Sequence, residues 1–160
     1  MKFFRVLGLT EEGVMAINVV RKWLRDNVMN QRVLIVEDEF LIALDLEATV
    51  ENLGMEVAGL ATNKEQALQL AHLADVAFVD INLSDGATGP EIGRRLAEEH
   101  GITVVFMTGN PEAVANGVKG ALGVVSKPVM PTVVEQSLKY AVARRAGMLA
   151  SVPPQMMVFA

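Results

Sequence analysis

The chain has 160 residues, which is the size of one domain with a single hydrophobic core. Its net charge of −5 argues against a nucleic-acid-binding surface, because such a surface needs basic side chains to displace counterions from phosphates. The absence of cysteine excludes disulfides and thiol chemistry, and no apolar run approaches the roughly 18 residues that span a bilayer, so we expect a cytoplasmic protein.

The first 30 residues differ from the remainder of the chain. Val14, Ile17, Val20, Trp23 and Leu24 recur near helical spacing. We therefore expect residues 1–30 to form an N-terminal extension that is helical.

From residue 32 onward, short apolar runs alternate with amphipathic helical patterns. The five runs typical of buried strands are residues 32–36, 56–60, 76–79, 103–107 and 122–125. Helices are predicted to start at Phe40, at Thr62 or Asn63 as the cap, at Pro90 and at Pro131. Such alternation predicts an α/β fold with a parallel sheet covered on both faces. We expect a flavodoxin-like, doubly wound, five-stranded sheet with the strand order 2-1-3-4-5.

Two segments lack a regular pattern. Between the fourth and fifth strands, Pro111 and Gly117 leave less than two turns for a helix. We expect residues 109–120 to be largely irregular and mobile. Residues 146–160 contain two consecutive prolines and are expected to form a loose C-terminal tail, which leaves residues 31–145 as the central domain.

Polar side chains follow four of the strands at the point where each strand ends. These side chains are Glu37, Asp38 and Glu39 after the first strand, Asp80 after the third, Thr108 at the fourth and Lys127 after the fifth. The carboxyl ends of parallel strands line the crevice in which open sheets bind ligands. Carboxylates crowded there repel unless a cation neutralises them, and their hard oxygen atoms suit Mg²⁺. With the metal present, Asp80 can act as a nucleophile that forms an acyl phosphate, while Thr108 and Lys127 hold the phosphoryl oxygens.

Each of these residues also has an ordinary structural explanation. Acidic residues after a strand commonly face solvent at a helix N-terminus, and a single lysine is usually a surface residue. It is their joint occurrence at the same edge of one sheet, in this order, that favours a phosphoryl-transfer site.

The same segments resemble the response-regulator receiver family. The resemblance rests on Val-Leu-Ile-Val-Glu37-Asp38-Glu39, on Val-Asp80-Ile-Asn-Leu, on Phe-Met-Thr108-Gly and on Ser-Lys127-Pro. It covers residues 31–145, roughly three quarters of the chain. The stretch around Thr108 is also similar to the Phe-Ala-Thr-Gly motif of the FATGUY receiver subgroup, although Thr103-Val104 replaces the Pro-Phe that precedes the motif there.

The resemblance implies a role for each matching residue. Asp80 would be the phosphoacceptor, and Thr108 and Lys127 would match the family's hydroxyl and lysine. Asp38 would bind Mg²⁺ directly, Glu37 would bind it through a water molecule, and Asn82 would offer its backbone carbonyl. The bond between Lys127 and Pro128 would be cis, as is typical of the family.

The resemblance also implies a function. The chain would be a single-domain response regulator of a two-component phosphorelay, phosphorylated by a sensor histidine kinase or a histidine phosphotransfer protein. It would catalyse only its own phosphotransfer and dephosphorylation, and would pass the signal by phosphotransfer or by binding a protein, with neither nucleic acid nor a membrane as a partner. One departure concerns signal transmission, since Val124 stands where many receivers have Tyr or Phe.

Two alternatives remain open. An aspartate nucleophile with Mg²⁺ and a lysine also describes haloacid-dehalogenase-type phosphatases, but these have a second aspartate where this chain has Asn82. The other alternative is a receiver that binds its partners without being phosphorylated.

Overall fold

The computed structural model describes residue 8 and residues 10–160 of the chain. Its helices are α1 (Glu11–Met29), α2 (Phe40–Asn52), α3 (Lys64–Leu70), α4 (Gly89–His100) and α5 (Pro131–Arg145). Its strands are β1 (Arg32–Val36), β2 (Glu56–Ala61), β3 (Val76–Val79), β4 (Thr103–Thr108), β5 (Gly123–Ser126) and β6 (Met156–Val158). Short 3₁₀ turns occupy Ala71–Leu73 and Pro111–Val114.

The sheet confirms the predicted α/β fold and extends it by one strand. Its order is β2-β1-β3-β4-β5-β6, and the first five strands are parallel in the predicted order 2-1-3-4-5. The prediction of five strands was wrong by one, because β6 pairs antiparallel with β5.

The core lies on both faces of the sheet, as a doubly wound fold requires. Successive residues of the central strands point to opposite faces, so Ile35 packs with α2 and α5 while Leu34 packs with α3 and α4. Every residue of β3 is buried, which explains why this strand reads as a continuous apolar run without alternation.

The N-terminal extension is helical over Glu11–Met29, as predicted, and the part of the prediction that falls on residues 1–7 and 9 lies outside the described residues. Among the side chains that the structure describes in α1, none is fully buried, and Trp23 is only partly covered. No described helix combines the length and the apolar character needed to cross a bilayer.

The connection between β4 and β5 is irregular, as predicted, apart from the single turn at Pro111–Val114. Val114 in this turn is 2% exposed, and Val118 packs beside it against the core. These two valines hold the connection against the sheet, and its mobility stays a prediction.

The expectation of a loose tail over residues 146–160 was wrong for its last part. Residues 156–158 form β6, Pro153 is buried, and Phe159 packs into the core. The physical reason is that β5 would otherwise be an edge strand with unpaired backbone groups, and an apolar segment can satisfy them.

Gly93 offers a test of how tightly α4 packs on the sheet. A Cβ atom at this helical position would lie 2.3 Å from Cζ of the buried Phe106 ring. Helix propensity alone would make Gly93→Ala stabilising by about 1 kcal/mol, but overpacking costs about 1–3 kcal/mol, so we expect a lower free energy of unfolding. Urea denaturation measures this change.

The matched control is Gly13→Ala in α1, where the added atom would lie 3.3 Å from the Thr10 Oγ1 atom of an exposed turn. We expect the control to leave the free energy of unfolding unchanged or slightly higher. If Gly93→Ala stabilised the protein as much as the control, the close contact with Phe106 would be contradicted.

We further expect a chain shortened to begin at Met29 to fold and to retain its melting temperature within a few degrees, because no described side chain of α1 is fully buried. Circular dichroism during heating measures this. A collapse in stability or solubility would instead show that Trp23 and its neighbours cover part of the core.

Candidate phosphoryl-transfer site

The site lies at the carboxyl edge of the sheet, where three buried strands end in polar residues. β1 ends at Val36 and is followed by the acidic triplet, and β3 ends at Val79 directly before Asp80. The apolar strand residues are held inside the core, so the first polar residue after each strand is placed at the sheet's edge. Because Val36 is paired with Val79 across neighbouring strands, Glu37 and Asp80 come to lie side by side.

Lys127 connects the two carboxylates. Its Nζ atom donates a hydrogen bond to Glu37 Oε2 at 2.5 Å and another to Asp80 Oδ2 at 2.7 Å. Glu37 is 3% exposed and Asp80 is 8% exposed, so this ion pair has little screening by solvent. One lysine therefore neutralises part of the charge of two buried acids.

Burial and hydrogen bonding act in opposite directions on these groups. Burial raises the pKa of the Glu37 carboxyl above its ordinary value, although hydrogen bonds from Lys127 and from the Glu39 backbone N–H oppose the rise. Burial of the Lys127 amine disfavours its charge, but its hydrogen bonds to Asp80 and Glu37 outweigh this and raise its pKa. Lys127 is thus held in its charged form.

The Asp80 carboxylate is oriented by its own backbone neighbour. The Ile81 N–H donates to Asp80 Oδ1 at 2.7 Å, which leaves Oδ2 for Lys127. Helix α4 begins at Gly89, beside the backbone of Asp80. The approach is so close that a Cβ atom at residue 89 would lie 2.1 Å from the Asp80 backbone oxygen. The Gly89 N–H also donates to the Ile81 carbonyl at 2.9 Å. The backbone that carries Asp80 is therefore fixed from two sides.

Three carboxylates of the described residues could share a metal ion. One oxygen each of Glu37, Asp38 and Asp80 lies within 4.8 Å of the others, and Asp38 is exposed toward solvent. Opposite ligands of one octahedral Mg²⁺ are about 4.2 Å apart, given metal–oxygen distances of about 2.1 Å. The cluster therefore fits a hard divalent cation after a small adjustment, with its exposed side left open to water.

Thr108 ends β4 at the same edge. It is 1% exposed, and its hydroxyl oxygen accepts the Asn110 N–H at 3.1 Å. Its backbone carbonyl accepts the Lys127 N–H at 2.8 Å, which ties the end of β4 to the start of the next loop. The bond between Lys127 and Pro128 is cis, as predicted.

The structure thus brings together most of the residues predicted for this site. Glu37, Asp38, Asp80 and Lys127 form one cluster, and Thr108 lies at the same sheet edge. Asn82 has an exposed side chain in the loop after β3, and the role of its backbone carbonyl stays a prediction.

Sequence reasoning missed the part that Gly89 plays. Only Pro90 was interpreted, as a helix start, whereas the structure shows that Gly89 before it allows the helix to approach the Asp80 backbone. A glycine directly before the first proline of a predicted helix, nine positions after a candidate nucleophile, was the available signal.

Comparisons with known proteins agree with this geometry. Residues 33–139 match the family described as the response regulator receiver domain. The chain is 36% identical over 107 residues to the phyllosphere-induced regulator PhyR of Methylorubrum extorquens, which covers 64% of this chain and 40% of that protein. The chain therefore spans about two fifths of the length of this curated relative.

Solved structures of similar proteins include the receiver domain of Erythrobacter litoralis PhyR, with a TM-score of 0.62, 26% identity, and coverage of 78% of this chain and 95% of that one. The response regulator PhyR of Brucella abortus has a TM-score of 0.58 and 33% identity, and the match covers 74% of this chain and 50% of that one. A variant of a Bartonella quintana protein that is described as the anti-anti-sigma factor PhyR has a TM-score of 0.65 and 28% identity. The match covers 89% of this chain and 65% of that one.

The family match covers about two thirds of the chain and contains Glu37, Asp38, Asp80, Thr108 and Lys127. The six-stranded sheet, the acidic cluster and these comparisons support the same assignment. The chain belongs to the response regulator receiver domain family.

Proposed function

We propose that the chain is a response regulator of a two-component phosphorelay that is phosphorylated on Asp80 with Mg²⁺ as its cofactor. The observation that carries this proposal is the buried Asp80 carboxylate, bridged by Lys127 and flanked by the acidic pair Glu37 and Asp38. Phosphoryl transfer needs a nucleophile, a positively charged side chain and a metal-binding cluster, and all three lie at one edge of the sheet.

The acidic cluster would hold the metal. Asp38 and Asp80 would bind it directly, Glu37 through a water molecule, and Asn82 through its backbone carbonyl. When bound, Mg²⁺ supplies positive charge that offsets the repulsion between these carboxylates and an incoming phosphoryl group.

The transfer itself exchanges one bond to phosphorus for another. A carboxylate oxygen of Asp80 attacks the phosphorus of a phosphohistidine, the P–N bond breaks, and the departing imidazole nitrogen takes a proton. The fixed Ile81 N–H contact keeps the carboxylate from rotating away during the attack. The product is an acyl phosphate on Asp80, which water later hydrolyses.

Two side chains are placed to receive the phosphoryl oxygens. Lys127 can move one of its hydrogen bonds from the carboxylates to the phosphoryl group, which carries more charge. Thr108 accepts the Asn110 N–H with its hydroxyl oxygen, so its own proton is free to be donated to a phosphoryl oxygen.

A surface for the phosphohistidine donor lies beside the site. Phe40 and Leu41 at the start of α2 are 69% and 75% exposed, and Met130 before α5 is 63% exposed. Between α2 and α5 lies a groove of about 690 Å³ whose lining includes Lys127 and Pro128. An apolar surface that adjoins the nucleophile suits a helical donor domain, which we propose to be a sensor histidine kinase or a histidine phosphotransfer protein.

We propose a signalling role rather than turnover of a separate substrate, with self-catalysed phosphotransfer and dephosphorylation as the only chemistry. The net charge of −5 disfavours nucleic acid, and the description of the Bartonella quintana relative as an anti-anti-sigma factor supports a protein as the downstream partner. The lack of cysteine is compatible with the cytoplasm, where we place this function.

Replacement of the acceptor tests the central step. Asp80→Asn should abolish acid-labile labelling from a phosphohistidine donor or from acetyl phosphate, because an amide does not attack phosphorus. The control is Asp85→Asn, which removes an exposed carboxylate five positions further along the same loop and should be labelled like the unaltered chain. Labelling that persists in a folded Asp80→Asn variant would refute the assignment.

Metal binding is tested by thermal unfolding. Mg²⁺ at about ten times its Kd should stabilise the fold by about 1.4 kcal/mol and raise Tm by about 3–6 °C. Asp38→Ala should remove this shift, whereas Glu39→Ala should keep it, because Glu39 is the acid of the triplet that lies outside the cluster. A Tm that does not respond to Mg²⁺ would show that the cluster is not a metal site.

A further inference from the structure

One side of α1 carries four residues whose charge and polarity follow a simple order. They are Glu12, Met15, Val19 and Lys22, and we call them the α1 stripe. Its members are three, four and three positions apart, so they lie within about 80° of one another around the helix axis. From the N-terminus of the helix, the order is acid, apolar, apolar, base.

The apolar members of the α1 stripe are accessible to another molecule. Met15 is 68% exposed and Val19 is 62% exposed. Ile17 and Val20, which lie on other sides of the helix, are less exposed, at 38% and 46%. The partly covered Trp23 is not a member of the stripe. Two apolar side chains on one exposed helix face are the groups that a second helix would cover.

The charged members of the stripe are accessible as well. Glu12 and Lys22 are exposed, and of the ion pairs that join described residues none contains either of them. Their backbones are separated by about 15 Å along the helix, which is too far for an ion pair within one chain. Each is therefore available to pair with a charge on another molecule.

The α1 stripe is complementary to its own reverse. Two antiparallel copies of α1 can be related by a two-fold axis that passes beside residue 17. Met15 of each copy then faces Val19 of the other, and Glu12 of each copy faces Lys22 of the other. This pairing covers four apolar side chains and forms two ion pairs. A parallel pairing in register would instead bring like charges together at both ends, which is unfavourable.

We propose that the α1 stripe is an interaction surface for a second copy of this chain, bound as an antiparallel helix pair with two-fold symmetry. Charge complementarity identifies the occupant, because the order of the stripe is matched by the same order in reverse. Residues 12–22 extend over about 15 Å, so the contact is smaller than the roughly 1,200–2,000 Å² that stable complexes bury. The association therefore depends on protein concentration.

Sedimentation velocity on the full chain, from about 10 μM to about 1 mM, measures the association. The stripe shares no residue with the phosphoryl-transfer site, so the experiment needs no phosphodonor and the proposal does not rest on the proposed function. We expect Val19→Gln to raise the Kd of the dimer at least about tenfold, because the apolar contact is lost on both copies. Glutamine favours helix at least as well as valine, so α1 is retained.

The matched control is Val20→Gln, which makes the same replacement one position along the helix, outside the stripe. It should leave the Kd unchanged. Equal Kd values for the two variants, or an unaltered chain that stays monomeric up to about 1 mM, would overturn the proposal. Monomers that bind vesicles of anionic phospholipid would also overturn it, in favour of a membrane surface.

Charge reversal tests the ion pairs. Glu12→Lys or Lys22→Glu alone replaces both ion pairs of the dimer by like-charge contacts, and each should raise the Kd at least about fivefold. Both changes in one chain restore opposite charges across an antiparallel pair, so this double variant should dimerise like the unaltered chain. Arg21→Glu, at an exposed position outside the stripe, is the control. A double variant that dimerises no better than the single ones would contradict the antiparallel pairing.

Disulfide trapping determines the orientation, because the chain contains no cysteine of its own. Met15→Cys and Val19→Cys are introduced into separate full-length chains, which are oxidised alone and as a mixture. In the antiparallel pair, identical positions are offset by about 6 Å along the axis, so the mixed disulfide should form faster than either homodimer. Homodimers that form faster than the mixed disulfide would show a parallel pairing and overturn the proposal.

Discussion

The bridge from Lys127 to two buried carboxylates is the interaction around which the site is organised. Two acids at the end of neighbouring strands would repel each other, and their burial would be costly without a counter-charge. The lysine reduces this cost through hydrogen bonds of 2.5 Å and 2.7 Å. It directly follows β5, so the relative placement of β1, β3 and β5 sets the charge balance of the site. This couples the electrostatics of the nucleophile to the packing of the sheet.

The position of Asp80 depends equally on Gly89, which has no side chain. Gly89 lets α4 approach the backbone of Asp80, and the Gly89 N–H donates a hydrogen bond to the backbone carbonyl of Ile81. The nucleophile is therefore held by the sheet on one side and by a helix start on the other. Such rigid support is what an attacking group requires, because small displacements from the productive geometry slow a reaction strongly.

Much of the fold and of the site could be predicted because both depend on local signals. Buried strands produce continuous apolar runs, as in residues 76–79, and polar residues at their ends mark the sheet edge. The pairing of residues 156–158 could not be predicted in this way, because the short apolar run 156–160, which follows two prolines and a glutamine, carries no periodicity. Its order derives from pairing with β5 and from contact with Phe106, which are distant in sequence. The close approach at Gly89 was missed for the same reason.

The shortness of β6 has a consequence for how these molecules can associate. An exposed sheet edge is a template for further strands, and long flat edges promote aggregation. Here the outermost strand has only three residues, so it offers few backbone groups to another chain. At the other edge, the register between β1 and β2 shifts between Val33 and Leu34, which makes that edge irregular. Both ends of the sheet therefore disfavour open-ended stacking of one molecule on the next.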